Sequence, residues 1–263
     1  MLYLLLIAVG IYCLMCALLY VFQDKLIFFP PQPVADIYSL MKQNEISYVS
    51  QYKNYRINGW EIDINEKADK TVIYFGGNAE DVVYFNIEAE KLNVRQVFVF
   101  NHPGYGKSEG QPSEKSLYQS ALDAYDFLIE QKKINPQKVV VIGRSMGSSV
   151  AAYLAANRDV SGVVLITPFD SISHIAAARF KYFPVKVILN HSFHTAEHIR
   201  KIDKPTLILA AEQDEMIAEA HLKNLIEASS SNSKIVKFPE LGHNTIQTHA
   251  DYYNELNRFI NRL

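Results

Sequence analysis

Residues 139–147, Val139-Val140-Val141-Ile142-Gly143-Arg144-Ser145-Met146-Gly147, decide the fold. Four β-branched residues run straight into a G-x-S-x-G pentapeptide, and a helix-forming stretch from Ser148 to Ala156 follows. That is the strand–turn–helix setting in which G-x-S-x-G works as a nucleophile elbow. The turn is so tight that positions two before and two after the serine have little room for a side chain. Glycine at both relieves the clash and admits strained backbone angles. The hydroxyl is then expected at the carboxyl edge of a sheet, above a helix N-terminus whose unpaired N–H groups favour a forming oxyanion. Ser145 is therefore the expected nucleophile, with Gly143 and Gly147 shaping the elbow.

A serine hydroxyl is a weak nucleophile unless a base takes its proton and a third group orients that base. In a sheet of this kind the partners follow in the order Ser, then Asp or Glu, then His, each after a later strand. Thr206–Ala210 reads as a buried strand followed by the acidic loop 211–215. Lys234–Phe238 reads as the next strand, followed by Pro239-Glu240-Leu241-Gly242-His243-Asn244. Asp214 and His243 take the acid and base positions; Glu212 and Glu215 are alternatives for the acid, and Asp170, also after a core strand, is the next candidate.

Of the eight histidines, His243 fits best on order and on its Gly-His setting. His191, His194 and His198 lie in one segment, but without cysteines or close carboxylate pairs they read as solvated rather than metal-binding. His174 and His221 fall in helical patterns and read as surface or interfacial. His102, in a Gly/Pro turn, is the one other expected neighbour of the site. No metal and no cofactor is expected. The second oxyanion donor should come from the loop after an earlier central strand. Thr71–Phe75 is that strand and Gly76-Gly77-Asn78-Ala79 that loop, so the backbone N–H of Asn78 is expected to pair with that of Met146.

Taken together, Phe75-Gly76-Gly77-Asn78-Ala79, Pro103-Gly104-Tyr105-Gly106-Lys107-Ser108-Glu109-Gly110, Gly143-Arg144-Ser145-Met146-Gly147, Asp214 and Gly242-His243-Asn244 resemble the α/β-hydrolases. The resemblance is to the membrane-anchored branch that includes bud-emergence-type proteins and related bacterial serine hydrolases. It spans most of residues 46–263. It implies an α/β-hydrolase fold, a mostly parallel sheet with helices on both faces, and a Ser145–Asp214–His243 triad. Two positions depart from the pattern: Gly76-Gly77 stands where many members have His-Gly, and His102 where many have arginine before the Gly-Tyr-Gly turn.

The composition suits one such domain plus an extension. The chain has 263 residues, of which 49% are hydrophobic, and a net charge of −2. Without a basic stripe it is not expected to bind nucleic acid. From Leu2 to Phe22 there is no charged residue, about the ~20 residues needed to cross a bilayer. The run lacks a cationic start and a small-residue cleavage pattern, so it reads as an uncleaved single-pass anchor over residues 1–23 rather than a signal peptide. Residues 24–45 read as a membrane-proximal lead-in, with Leu26–Pro30 against the membrane surface. The domain follows over 46–263, with 168–204 either a cap insertion or an ordinary crossover. Both cysteines, Cys13 and Cys16, fall in the anchor and staple nothing in the domain.

Ile46–Ser50, Tyr52–Ile57 and Trp60–Ile64 read as three antiparallel edge strands, after which strands and helices alternate, the pattern of a parallel sheet covered on both faces. The expected activity is hydrolysis of a carboxylic ester or thioester, lipid-like or acylated, at a membrane surface. A membrane-tethered peptidase or amidase, or a non-catalytic hydrolase-like binding protein, is the alternative. The anchor is expected to be separable from the hydrolase core.

Overall fold

In a computed structural model describing all 263 residues, the apolar amino-terminal run forms α1 (Leu2–Ile27) and is followed by α2 (Ala35–Leu40). The chain then enters the sheet through β1 (Glu45–Val49) and β2 (Arg56–Asp63) and alternates strand with helix thereafter: β3 (Thr71–Phe75), α3 (Phe85–Ala89), β4 (Gln96–Phe100), α4 (Glu114–Glu130), β5 (Val139–Arg144) and α5 (Met146–Asn157). Next come β6 (Gly162–Ile166), three short helices α6 (Ile172–Arg179), α7 (Val185–Ile188) and α8 (Thr195–Ile199), then β7 (Thr206–Ala211), α9 (Glu219–Ala228), β8 (Ser233–Phe238) and α10 (Tyr252–Ile260).

The eight strands form one sheet in the order β1-β2-β4-β3-β5-β6-β7-β8, antiparallel at β1–β2–β4 and parallel from β4 onward. The central strands are apolar at consecutive positions because both faces are covered. Val139 and Val141 point into one buried cluster with Leu117, Val150 and Leu225, while Val140 and Ile142 point into the other with Leu92 and Leu256. Each such side chain, fully buried, contributes roughly 1.5–3 kcal/mol.

Two edge strands form where three were expected. Residues 58–59 do not break the chain, because Gly59 pairs with Phe100 in the ladder, and a Cβ there would meet the Phe100 ring at 2.3 Å. The turn falls instead at Lys53 and Asn54, both at positive φ (57° and 54°), closed by Ser50 N–H donating to the Tyr55 carbonyl.

The anchor corrects two expectations. α1 runs past the charged pair Asp24-Lys25 to Ile27, and its final turns pack on the domain rather than standing apart from it. Gln23 is buried, donating to the Ile188 carbonyl at 3.0 Å and accepting from Asn190 N–H at 2.6 Å. Phe28, expected against the membrane, is buried at 4% exposure, edge-on to His191 and Phe193.

Of the histidine segment, His194 is solvated as expected, but His191 and His198 are not. His191 is buried, with Nε2 2.9 Å from Asp24 Oδ1. His198 lies edge-on to both Tyr118 and Tyr153, and neither of its ring nitrogens has a partner. Burial, reinforced by the Lys201 charge, pushes its pKa from 6.5 down to about 4.

A histidine held neutral by the fold is a stabilising arrangement only above its unfolded pKa. As pH falls from 6.5 toward 4 the unfolded chain takes up a proton that the folded chain does not, so stability is lost across that window. His198→Phe keeps the aromatic contacts and removes the proton. Thermal melting of the detergent-solubilised chain at a series of pH values should show a shallower fall in midpoint over that range for the variant.

Candidate active site

Gly143 and Gly147 face each other across the turn between β5 and α5. A Cβ on Gly143 would sit 2.1 Å from the Gly147 carbonyl oxygen, and a Cβ on Gly147 2.1 Å from the Phe75 carbonyl oxygen at the end of β3. No side chain fits either place. Ser145 itself sits at φ 50°, ψ −116°, a conformation costing on the order of 1–3 kcal/mol that persists only where the surroundings fix it. They do: its N–H donates to the Ile166 carbonyl of β6 at 2.8 Å, and its carbonyl accepts from Ser148 Oγ at 2.6 Å.

The loops after β7 and β8 bring the other two residues to it. Ser145 Oγ lies 2.9 Å from His243 Nε2, and His243 Nδ1 lies 2.8 Å from Asp214 Oδ2. His243 is buried at 2% exposure. Asp214 cannot swing away, because Oδ1 accepts from the backbone N–H groups of Met216 (2.9 Å) and Ile217 (2.7 Å). With Nδ1 facing a carboxylate, the neutral ring carries its proton there and leaves Nε2 as the acceptor toward Ser145.

The alternative acids lie elsewhere. Glu215 accepts the backbone N–H of His243 at 2.9 Å, which holds its pKa below the usual carboxylate range, so it fixes the histidine loop and not the ring. Asp170 accepts from His174 and His221, from Asn224 and from Ser171 N–H. Its burial opposes ionisation, but the bonds from Asn224 and His174 and the charge on His221 together hold its pKa low. His174 and His221, expected at the surface or an interface, are exposed and half-buried respectively, and both belong to a separate polar cluster around Asp170.

Met146 opens α5, so its N–H has no acceptor within the helix. The glycine loop after β3 runs close beside Ser145: a Cβ on Gly77 would be 3.6 Å from Ser145 Cβ. Asn78 lines the same cavity as Ser145 and Met146, and its backbone N–H has no acceptor within the protein. The Asn78 side chain has a use the sequence did not reveal. Oδ1 accepts from Phe29 N–H (3.1 Å) and Tyr105 Oη (2.8 Å), while Nδ2 donates to the Ile27 carbonyl (2.5 Å). The end of α1 is therefore tied to this loop.

His102, one of the two departures from the family pattern, explains itself. Burial pushes its pKa down, leaving a neutral ring whose Nε2–H donates to the Gly76 carbonyl at 3.0 Å.

Arg144 is a second residue whose part was not read from the sequence. Its guanidinium reaches Glu80 Oε2 at 3.3 Å and Asn244 Oδ1 at 3.0 Å. Glu80 in turn accepts from Gly77 N–H (2.8 Å) and Tyr74 Oη (2.7 Å). One side chain inside the elbow thus braces both the glycine loop and the histidine loop. The available signal was a charged residue inside a motif hemmed in on every side.

A family model for the alpha/beta hydrolase fold matches residues 70–187. An uncharacterized membrane protein of Saccharomyces cerevisiae is 31% identical over 215 residues, 78% of this chain and 75% of that protein. The alpha/beta hydrolase domain-containing protein WAV2 of Arabidopsis thaliana is 28% identical over 256 residues, 86% of this chain and 83% of its own. The esterase Pf2001 of Pyrococcus furiosus superposes with a TM-score of 0.70 at 19% identity, covering 90% of this chain and 98% of the esterase. The chain belongs to the α/β-hydrolase family.

The brace can be tested by stability alone. Arg144→Leu strips Glu80, whose side chain is 17% exposed, of its cation, and should cost about 1–3 kcal/mol. Glu80→Leu should cost less on top of Arg144→Leu than on its own, because the carboxylate has then already lost its cation, while Gly77 N–H and Tyr74 Oη lose their acceptor in both cases. Thermal unfolding of the two single variants and the double variant measures the coupling.

Proposed function

We propose that the protein is a membrane-anchored serine hydrolase cleaving carboxylic esters or thioesters of lipid-like or acylated compounds. One observation carries the reading: the unbroken hydrogen-bonded line from Ser145 Oγ through His243 to Asp214, opening onto a largely apolar cavity. Membership of the α/β-hydrolase family, an esterase among the proteins that share its fold, and an apolar helix long enough to span a bilayer support it.

In the first half-reaction Ser145 Oγ attacks the acyl carbonyl while His243 Nε2 takes its proton. The carbonyl electron pair moves onto oxygen, where the N–H groups of Met146 and Asn78 receive it. Collapse expels the alcohol or thiol, which leaves with the proton held by His243. In the second half, water gives its proton to Nε2 and attacks the acyl-serine, releasing the carboxylic acid and restoring Ser145. Asp214 stays ionised throughout, orienting the ring and stabilising its cation. The net change is one ester and one water to one acid and one alcohol.

Ser145→Ala should abolish labelling by a fluorophosphonate probe and ester turnover while leaving the melting temperature close to that of the parent; retained turnover would remove Ser145 from this role. Asp214→Asn should lower turnover on the order of ten-thousandfold, because the wrong imidazole tautomer is then favoured. Glu212→Gln and Glu215→Gln should stay within roughly tenfold of the parent, the amide at 215 still able to accept the His243 N–H. A large loss at 212 or 215 with an active Asp214→Asn would move the acid.

A further inference from the structure

The cavity above Ser145, about 360 Å³ and lined by fifteen hydrophobic residues of nineteen, has an unusual wall. One side is the α6–α7 segment, including Ile172, Ala176 and Ile188; the other is the membrane helix itself, through Leu19, Leu26 and Ile27. We propose that α1 is part of the substrate site: the acyl chain of a membrane lipid passes sideways from the bilayer between α1 and α6–α7 to reach Ser145. This deepens the hydrolase reading and rests on it for the chemistry, though not for the path.

The level at which the two walls meet argues for entry from lipid rather than from water. Tyr12 Oη donates to the Tyr182 carbonyl and its ring stacks on Phe183, while Gln23 donates to the Ile188 carbonyl. Tyr12 and Gln23 are eleven residues apart, about 16 Å along a helix, and one leaflet of the hydrocarbon core is about 15 Å thick. When α1 crosses a bilayer, residues 182–188 therefore lie beside it within the nearer leaflet, not beneath the membrane.

The side chains of that segment suit such a place. Phe180, Tyr182 and Val187 are 36%, 88% and 82% exposed, a heavy apolar load for a surface facing water. Between Ser171 and Ala196 there are three cations, Arg179, Lys181 and Lys186, and no carboxylate. Lys186, two residues from the Ile188 carbonyl that Gln23 holds, lies at the shallow end of the segment, where a long cationic side chain can reach a headgroup layer and an anionic surface attracts it.

Contact between the walls and the reaction centre is direct. Asn78, whose side chain holds Ile27 and Phe29, lines the cavity beside Ser145 and Met146. A chain lying along α1 thus ends with its carbonyl at the serine. Its path is mostly apolar, interrupted at the walls by Gln23 and Arg179, so transfer exposes little of the chain to water.

Two experiments on the full chain in phosphatidylcholine–phosphatidylglycerol vesicles decide it. In the first, the Ser145→Ala chain is irradiated with a palmityl glycerol ether bearing a diazirine at the chain terminus, a probe with no ester to cleave. Beyond the lipid-facing turns of α1, cross-links should fall on peptides from 172–179, and Ala176→Trp in the same chain should remove them; no cross-link there, or one that Ala176→Trp leaves unchanged, overturns the proposal. In the second, Leu19→Trp and Ala176→Trp narrow the passage from each side. Each should lower the palmitate-to-butyrate ratio of kcat/KM for p-nitrophenyl esters at least about tenfold, whereas Leu6→Trp, far along α1, should leave that ratio unchanged. An unchanged ratio in both narrowing variants, or an equal drop in all three, rejects α1 as a wall. If the parent cleaves neither ester yet cross-links at the expected peptides, the esterase reading fails and the lipid path stands.

Discussion

Everything at the site depends on the absence of space where β5 turns into α5. Gly147 lies so close under the Phe75 carbonyl that a single added carbon would force β3 and α5 apart. That crowding brings the glycine loop beside Ser145 and fixes the start of α5 beneath it. The strained backbone of Ser145 is the cost, and the bond from its N–H to Ile166 on the neighbouring strand is what keeps it from relaxing. A looser turn would leave the hydroxyl free to rotate away from His243.

Around this turn the polar residues act as braces. Arg144 holds the loops on either side through Glu80 and Asn244, Glu215 holds the backbone of His243, and His102 holds the carbonyl of Gly76. These contacts join the loops that follow β3, β4, β7 and β8 to the end of β5 in one frame, so that a small set of side chains determines several distances at once. The geometry around Ser145 is accordingly a property of the frame and not of any single loop.

Much of this was legible in the sequence. The parallel sheet follows from strands alternating with helices along the chain, and the elbow from two glycines flanking a serine between a strand and a helix. The order Ser145, Asp214, His243 follows from where later strands end. Less legible was what an apolar helix touches: α1 is apolar all round, so its pattern cannot distinguish a lipid face from a protein face. The one mark was Gln23, an uncharged amide late in that run, which turns out to be buried and doubly bonded. His191 and His198 misled because spacing carries no information about burial, and their partners Asp24, Tyr118 and Tyr153 are remote in sequence. The break expected at 58–59 failed because pairing with β4 outweighed the local turn tendency of Asn58-Gly59.

The base reaches the serine from 98 residues further along the chain, on a loop that follows β8, the last strand and an edge of the sheet. During synthesis Ser145, its tight turn and the helix below it are therefore made well before His243. A chain still attached to the ribosome has Ser145 without the hydrogen-bond partner that follows β8. Topology thus sets an order of assembly: α1 is made first, and the line from Ser145 through His243 to Asp214 can close only once β8 and the loop behind it exist.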